Sequence, residues 1–435
     1  MNILVIGGGG REHAIISKLS NKIRKIICTP GNAGISQIAE CINIQAINSI
    51  KALIKKSKID FCVVTPDNPL VLGMVDALDI PCFGPTKSAA IIEGSKVFSK
   101  NLMKKYNIPT AQYETFNNIN EAKSYTKTAN YPLWIKTDGL ALGKGAIMAE
   151  SPTEANNILE DIMIKKIFNE SGNSVVIEEH MTGQEATVLA FTDGKTIKPM
   201  ISSMDYKRAF DKNMGPNTGG MGAIAPNPFY TKEIEAECLK NIFIPTIRAM
   251  ENENRIFKGC LYFGLMLTKD GPKVVEYNCR FGDPETQTVL SLLDTDLFDI
   301  MLACNNGNLD KINIKWKEGT AACVVLASGG YPGKYEIGKR ITGITETSTT
   351  KIYHAGTSWD NGYITSGGRV LNIVSTATDL STAIKTTYEH IKNISFEGMF
   401  YRSDIGAFSI FLRKTETLPR QKHDNSILYN QVETL

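Results

Sequence analysis

The chain has 435 residues, 42% of them hydrophobic, and a formal net charge of +3, enough length and apolar content for several domains with separate cores. No apolar run reaches the ~18 residues that span a bilayer, and interspersed charges near neutrality call for neither nucleic acid nor a membrane surface. The N-terminus lacks the basic region of a signal peptide, and nine cysteines without a C-x-x-C pair suggest neither a disulfide framework nor a zinc site, favouring a reducing, cytoplasmic setting.

Over the first hundred residues, Val- and Ile-rich runs at 2–7, 23–29, 61–66 and 81–84 alternate with helical patterns such as 13–19 and 49–56. That alternation predicts a parallel sheet covered on both faces. A longer helix is expected over 88–106, before the turn at Ile108-Pro109. Strands at 132–137, 146–150 and 174–178, with a helix at 153–168, then make a small α+β unit around a Gly-rich segment. Residues 189–309 read as two long helices and a hairpin turning at Lys269-Asp270-Gly271. A further α+β unit runs from 320 to about 411, and the last twenty residues lose hydrophobic periodicity, as a poorly ordered tail would.

Gly7-Gly8-Gly9-Gly10-Arg11-Glu12-His13 follows the first strand and opens a helix. Glycines there let backbone N–H groups approach a phosphate at the positive helix end. A dinucleotide site is opposed by two features. The third glycine of G-x-G-x-x-G is replaced by Glu12 or His13, and the second strand ends in Cys28-Thr29-Pro30-Gly31 without an acidic residue for a ribose. A mononucleotide or sugar-phosphate turn remains, beside the plainer reading of a tight strand-to-helix turn without ligand. His13 reads as structural.

Lys136-Thr137-Asp138-Gly139-Leu140-Ala141-Leu142-Gly143-Lys144-Gly145 lies between two strands. A P-loop needs four residues between its glycines, a Ser or Thr after the lysine, and a following helix; none is present. A Gly-rich flap over phosphates fits better, with Lys144 neutralising charge, and a solvated loop is the bland alternative. Lys136 ends an apolar strand, where burial is costly unless an anion meets it.

The strongest local signal is Val274-Val275-Glu276-Tyr277-Asn278-Cys279-Arg280-Phe281-Gly282-Asp283-Pro284-Glu285. Alternation in a strand puts Glu276, Asn278 and Arg280 on one face and Val275, Tyr277 and Cys279 on the other. Two oxygen ligands beside a guanidinium suit a magnesium ion on nucleotide phosphates; a Glu276–Arg280 salt bridge is the simpler alternative, which leaves Asn278 unexplained. Asp205-Tyr206-Lys207-Arg208 precedes Gly215-Pro216-Asn217-Thr218-Gly219-Gly220-Met221-Gly222, a loop able to fold closely over a carboxylate or phosphate, or merely to connect two domains.

Taken in order, these segments resemble the glycinamide ribonucleotide synthetases of the ATP-grasp superfamily, from residue 1 to about 406. The most specific matches are GPNTGGMG at 215–222 and NCRFGDPETQ at 278–287. PGNAG at 30–34, EGSK at 93–96, SGGYPG at 328–333, HAGT at 354–357 and GGRVL at 367–371 support them. The chain departs where Thr65-Pro66-Asp67 replaces the usual Gly-Pro-Glu and Tyr206 a common His; neither removes a charge.

The resemblance implies an α/β and α+β multidomain protein: an N-terminal parallel-sheet, Rossmann-like substrate domain (1–106), an ATP-grasp lid (107–188), a body with the metal site (189–319), a C-terminal α+β domain (320–415) and a tail (416–435). No second enzyme is expected behind the ligase. The implied reaction joins glycine to 5-phosphoribosylamine using ATP and Mg²⁺ or Mn²⁺, through glycyl phosphate, with a monomer as the expected state. Lys100, Lys136 and Lys144 are then nucleotide or phosphate contacts. Glu178, Glu179 and the backbone near His180 and Met181 form the adenine hinge, and Glu185 holds the ribose. Glu276 and Asn278 match the metal ligands, and Arg280 faces the transferred phosphoryl group. Asp205, Lys207, Arg208, Asn217, Thr218, Gly219, Gly220 and Met221 lie near glycine and its acyl phosphate. Gly8, Gly9, Gly10, Arg11, Asn32, Asp67, Asp283, Pro284, Glu285 and Thr286 are the candidate phosphoribosylamine contacts. Other carboxylate–amine ligases, a nucleotide-binding scaffold without turnover, and a dehydrogenase are the competing readings.

Overall fold

The computed structural model describes residues 1–19, 22–141 and 144–407; the expected tail, Leu142 and Gly143 lie outside them. The N-terminal sheet is parallel throughout, in the order Glu40–Cys41, Lys25–Pro30, Asn2–Gly7, Phe61–Val64, Cys82–Phe83. Its period of two is visible in the packing. Leu4, Ile6, Cys62 and Val64 enter one core, while Ile3, Val5, Phe61 and Val63 enter another on the opposite face, as a sheet covered on both sides requires.

The helix expected over 88–106 is two helices, Lys87–Gly94 and Lys96–Lys105. Ser95 breaks it in extended conformation: its Oγ accepts from Phe98 N at 3.0 Å, capping the second helix, and donates to Asp138 Oδ1 at 2.9 Å. The competition between a serine side chain and the backbone ladder favours a cap over continued helix.

Next comes an antiparallel four-stranded sheet in the order Tyr113–Phe116, Val175–Glu179, Leu133–Thr137, Ala146–Ala149. Its first strand, whose residues are only half-buried or exposed, and the helix Ile119–Thr126 lie outside the expected elements. This sheet has its own core of Leu133, Ile135, Leu159, Ile162, Val175 and Ile177.

A second antiparallel sheet follows in the order Ile197–Pro199, Gln184–Thr192, Gly259–Thr268, Gly271–Asn278. The division expected at 188 falls within Gln184–Thr192, all nine residues of which pair with Gly259–Thr268. The hairpin at Lys269-Asp270-Gly271 is present. One expected face is corrected: a bulge opposite Gly264 and Leu265 shifts the register, so Val274, not Val275, enters the core with Tyr277, as an extra residue in one strand must cause.

The last sheet runs Met204–Asp205, Gly222–Ala225, Thr320–Ser328, Arg369–Ala377, Thr350–His354, with Met399–Phe400 also on Thr320–Ser328. Its first two strands come from the central region, so the sheet of the C-terminal unit also takes in residues from before 320. Helix Leu380–Ile391 covers it through Leu380, Ala383 and Ile384.

Candidate active site

Between the two four-stranded sheets, three buried charges meet. Lys100, on helix Lys96–Lys105, and Lys136, on strand Leu133–Thr137, lie 3.1 and 3.0 Å from Glu178 Oε2, and all three are nearly inaccessible to water. Lys100 also donates to Thr110 Oγ1 at 2.8 Å, which donates to Val274 O at 2.7 Å. Lys136 approaches Val275 O at 3.5 Å. Burial pushes the Glu178 carboxyl up, but Lys136 and Lys100 outweigh it and hold it below the usual carboxylate range. Burial also brings Lys100 down to about 8, against the pull of Glu178. Two ammonium groups on one carboxylate leave a net positive charge, the condition for receiving phosphate.

Other nucleotide-side candidates are more open. Glu179 is exposed and accepts from Gln112 N at 3.0 Å; Met181 is half-buried in the turn before Gln184–Thr192. His180 accepts from Trp134 Nε1 at 3.0 Å, its ring stacked on the indole. Lys144 is exposed in the loop before Ala146–Ala149 and is not part of the buried lysine–glutamate cluster.

Glu276 and Asn278 share strand Gly271–Asn278. Opposite Glu276 stands Gly264, where an added Cβ would crowd Glu276 Cγ at 3.1 Å; the glycine gives the carboxylate its room. Asn278 Oδ1 is 3.4 Å from Arg280 Nη2. A carboxylate and an amide oxygen, with no thiolate or imidazole, suit a hard cation that takes its other ligands from phosphate and water. Among the described residues no group of three or more His, Cys, Asp or Glu is poised to hold a metal, so the protein alone offers only a partial shell.

The simple Glu276–Arg280 salt bridge does not form; Arg280 lies 3.5 Å from Glu93 Oε1 instead. Glu93 Oε2 accepts from Cys279 N at 2.7 Å, and burial raises the Glu93 carboxyl against the opposing effect of Arg280. Burial opposes the Arg280 charge, yet Glu93 and Asp67 outweigh it and push the guanidinium up. Glu93 was not among the expected site residues; only its EGSK context marked it.

Glu185, the expected ribose contact, is already paired: Lys207 bridges it at 2.7 Å and Asp205 at 3.2 Å. Burial raises the Asp205 carboxyl despite Lys207, whereas Lys207, disfavoured by burial, is held well above its ordinary value by Asp205 and Glu185. Arg208 Nη1 donates to Gly215 O at 2.7 Å. Thr218 Oγ1 donates to Lys207 O and accepts from Gly220 N at 2.8 and 2.9 Å, while Asn217 pairs with Arg208 across a short hairpin. Met221 is wholly buried, its N–H on Tyr206 O. Gly220 has φ +111°, and a side chain there would strike Pro284. Glu285, buried at the start of helix Glu285–Ser291, is pushed by burial and by Asp205 up to about 7. Thr286 Oγ1 is buried without a hydrogen-bond partner among the described residues.

The N-terminal glycines acquire a packing reason. A side chain at Gly10 would strike Asn372, and one at Gly8 would press on Gly31 O at 2.6 Å. Gly9 N donates to Glu12 Oε2 at 2.6 Å, and Glu12 Oε1 meets Arg11 Nε at 2.7 Å and Thr65 Oγ1 at 2.6 Å. Glu12 thus caps its own helix, although Gly9 at the N-cap has no side chain to complete the Ser/Thr-x-x-Glu signature. Arg11 Nη1 donates to Phe281 O at 3.0 Å. Asn32 is fully engaged: its amide donates to Gly8 O and His354 O, and its oxygen accepts from Gly34 N and Ile35 N. Asp67 opens helix Asp67–Leu72. His13 is buried, accepts from His354 N at 2.9 Å, and is lowered to about 3 by burial and by His354, as a structural histidine would be.

A lysine on one antiparallel sheet and another on the helix Lys96–Lys105, beside a strand of a second sheet that carries Glu276 and Asn278, fit an enzyme of the ATP-grasp class. The same fold occurs in the biotin carboxylase of Campylobacter jejuni (TM-score 0.73, 13% identity, 92% of each chain). Family models for phosphoribosylglycinamide synthetase match here as an N domain at residues 1–93, an ATP-grasp domain at 94–286 and a C domain at 321–408. A phosphoribosylamine–glycine ligase of Caldanaerobacter subterraneus subsp. tengcongensis is 48% identical over 415 residues, 94% of this chain and all of that one. A crystal structure of a ligase of the same name from Thermotoga maritima superposes with TM-score 0.84 at 32% identity, covering 93% of this chain and all of the other. The chain belongs to the phosphoribosylglycinamide synthetase family.

Proposed function

We propose that this chain joins glycine to 5-phosphoribosylamine in purine biosynthesis, cleaving ATP to ADP and phosphate, and that glycine is first converted to glycyl phosphate. The overall ligation is the reaction for which its relatives are named; the acyl phosphate and the residue roles are our reading. A glycine carboxylate is a poor electrophile. Transfer of the terminal phosphoryl group supplies a leaving group, and the amine then attacks the carbonyl carbon and expels phosphate.

Lys100 and Lys136 bind the phosphates, with Lys144 closing over them from its loop. Glu179, Met181 and Glu185 line the adenosine side, and Glu178 holds the two lysines ready. Glu276 and Asn278 would hold Mg²⁺ or Mn²⁺, which when bound neutralises charge on the phosphate oxygens. Arg280, kept charged by Glu93 and Asp67, faces the transferred group. Asp205, Lys207, Arg208 and the Gly219–Gly220 turn orient glycine, while Asp283, Glu285 and Thr286 address the amine substrate. Such positioning accounts for most of the catalysis open to an enzyme without a covalent nucleophile.

The observation that carries this reading is the convergence of Lys100 and Lys136 on Glu178 beside the carbonyls of Val274 and Val275, immediately before Glu276. Oxygen-18 in the glycine carboxylate should appear in the released phosphate; label that stays wholly in the amide excludes glycyl phosphate. ADP release should also fall when either glycine or phosphoribosylamine is omitted.

A further inference from the structure

Arg369 opens a strand of the C-terminal sheet, yet its guanidinium lies among loops from elsewhere. Nη1 donates to Gly219 O at 2.6 Å, Gly220 O at 3.3 Å and Asp283 O at 2.8 Å, and Nη2 donates to Asp283 Oδ2 at 2.9 Å. A Cβ on Gly219 would stand 3.0 Å from Arg369 Cζ, so the bare backbone lets the guanidinium lie against the turn. Tyr331 from the same unit accepts from Gly219 N at 3.2 Å. One side chain therefore fastens the turn assigned to glycine and its acyl phosphate to the Asp283 loop assigned to the amine substrate.

We propose that Arg369 is a positioning residue that sets the separation of the two reacting halves, and so decides whether glycyl phosphate is captured by the amine or lost to water. The inference rests on the ligase reading above. A planar fork with donors in fixed directions can hold three carbonyls and a carboxylate together, whereas an ammonium group cannot reproduce that pattern. Phosphoryl transfer needs the nucleotide-side lysines and the metal ligands, which Arg369 does not touch, and the glycine turn, which Thr218 on Lys207 O and Tyr331 on Gly219 N hold as well. Amide formation needs both loops in register, and a misplacement of about 1 Å can cost on the order of 10²-fold. When capture fails, water attacks the acyl phosphate and returns glycine and phosphate, so ATP is consumed without amide.

The test uses the full chain with glycine, Mg-ATP and phosphoribosylamine generated in the assay, scoring ADP and glycinamide ribonucleotide together. Wild type should form them in equal amounts. Arg369→Lys, with an unchanged thermal midpoint, should lower amide formation on the order of 10²-fold while lowering ADP release much less, with KM for ATP unaltered. Equal amounts of the two products from Arg369→Lys, whether at normal or reduced rate, overturn the proposal. Should that variant not fold, Arg369→Gln, whose short amide cannot span the two loops, is scored by the same ratio: excess ADP supports the inference, equality sinks it. A wild type that releases no ADP with both substrates present overturns the ligase reading instead.

Discussion

The two antiparallel sheets that enclose the nucleotide side are built differently. The lid sheet rests on a core of its own around Ile135, Leu159 and Ile177. The body sheet sends Leu261, Phe263, Leu265, Val274 and Tyr277 into the same core as Leu4, Ile6 and Val64 of the N-terminal sheet. The residues proposed to hold a cation sit on the sheet that shares a core with the rest of the molecule, and Lys136, proposed to bind phosphate, sits on the sheet with a core of its own. Lys136 on Val275 O, the Lys273–Glu179 pair and the Thr110–Val274 contact join the two by polar bonds, which can be remade in a moved position more readily than a packed apolar interface.

The largest effect that could break this comparison is on Glu276. Glu276→Ala should cost about 3–5 kcal/mol of transition-state stabilisation, or roughly 10²–10⁴-fold in ADP release, with little change in melting; near-normal turnover would remove the metal role from the body sheet. Paired core truncations come next. Phe263, wholly buried against Phe243 with ring centroids 4.4 Å apart, should lose about 3–5 kcal/mol of global stability as Phe263→Ala. Ile135→Ala should lose about 2–5 kcal/mol, seen by amide exchange mainly within the lid. Uniform deprotection by both variants would mean that the sheets melt as one unit.

A smaller change is expected from Lys136→Ala, which leaves Glu178 with Lys100 alone: KM for ATP should rise about tenfold, the size of one lost charged hydrogen bond. Smallest is a pH effect. Because burial lowers Lys100 to about 8, its charge is present below that pH and fades above it, so kcat/KM for ATP should decline on the alkaline side. Lys100→Arg should flatten that limb, since a guanidinium stays charged; an unchanged limb would assign it to another group. The stability sign is opposite. Charging a buried lysine opposes folding, so this group's penalty is full below about pH 8 and fades as pH rises toward the unfolded value of 10.5.

The parallel sheet, the 269–271 hairpin and the pairing of Glu276 with Asn278 on one strand were legible because each rests on local periodicity or turn chemistry. Four things were not. The strand Tyr113–Phe116 lacks a strongly buried face, so alternation gave little signal. Ser95 is one polar residue in a helical pattern, and only the fold shows Asp138, 43 positions away, accepting a hydrogen bond from its hydroxyl. The bulge at Val275 depends on the partner strand. Arg369 stands in the sequence only within the GGRVL match, and only the fold brings it to Asp283, 86 positions distant.

Strand exchange between the central region and the C-terminal sheet carries a practical consequence for anyone cutting this protein into pieces. Gly222–Ala225 lies between Met204–Asp205 and Thr320–Ser328, and all four of its residues are buried. A fragment ending at 319 would keep those residues but lose their neighbour, leaving an apolar ribbon with unsatisfied amides on display. Such a ribbon recruits other chains, so fragments meant to isolate the nucleotide half should be expected to clump unless the seam is redrawn to bring Thr320–Ser328 along.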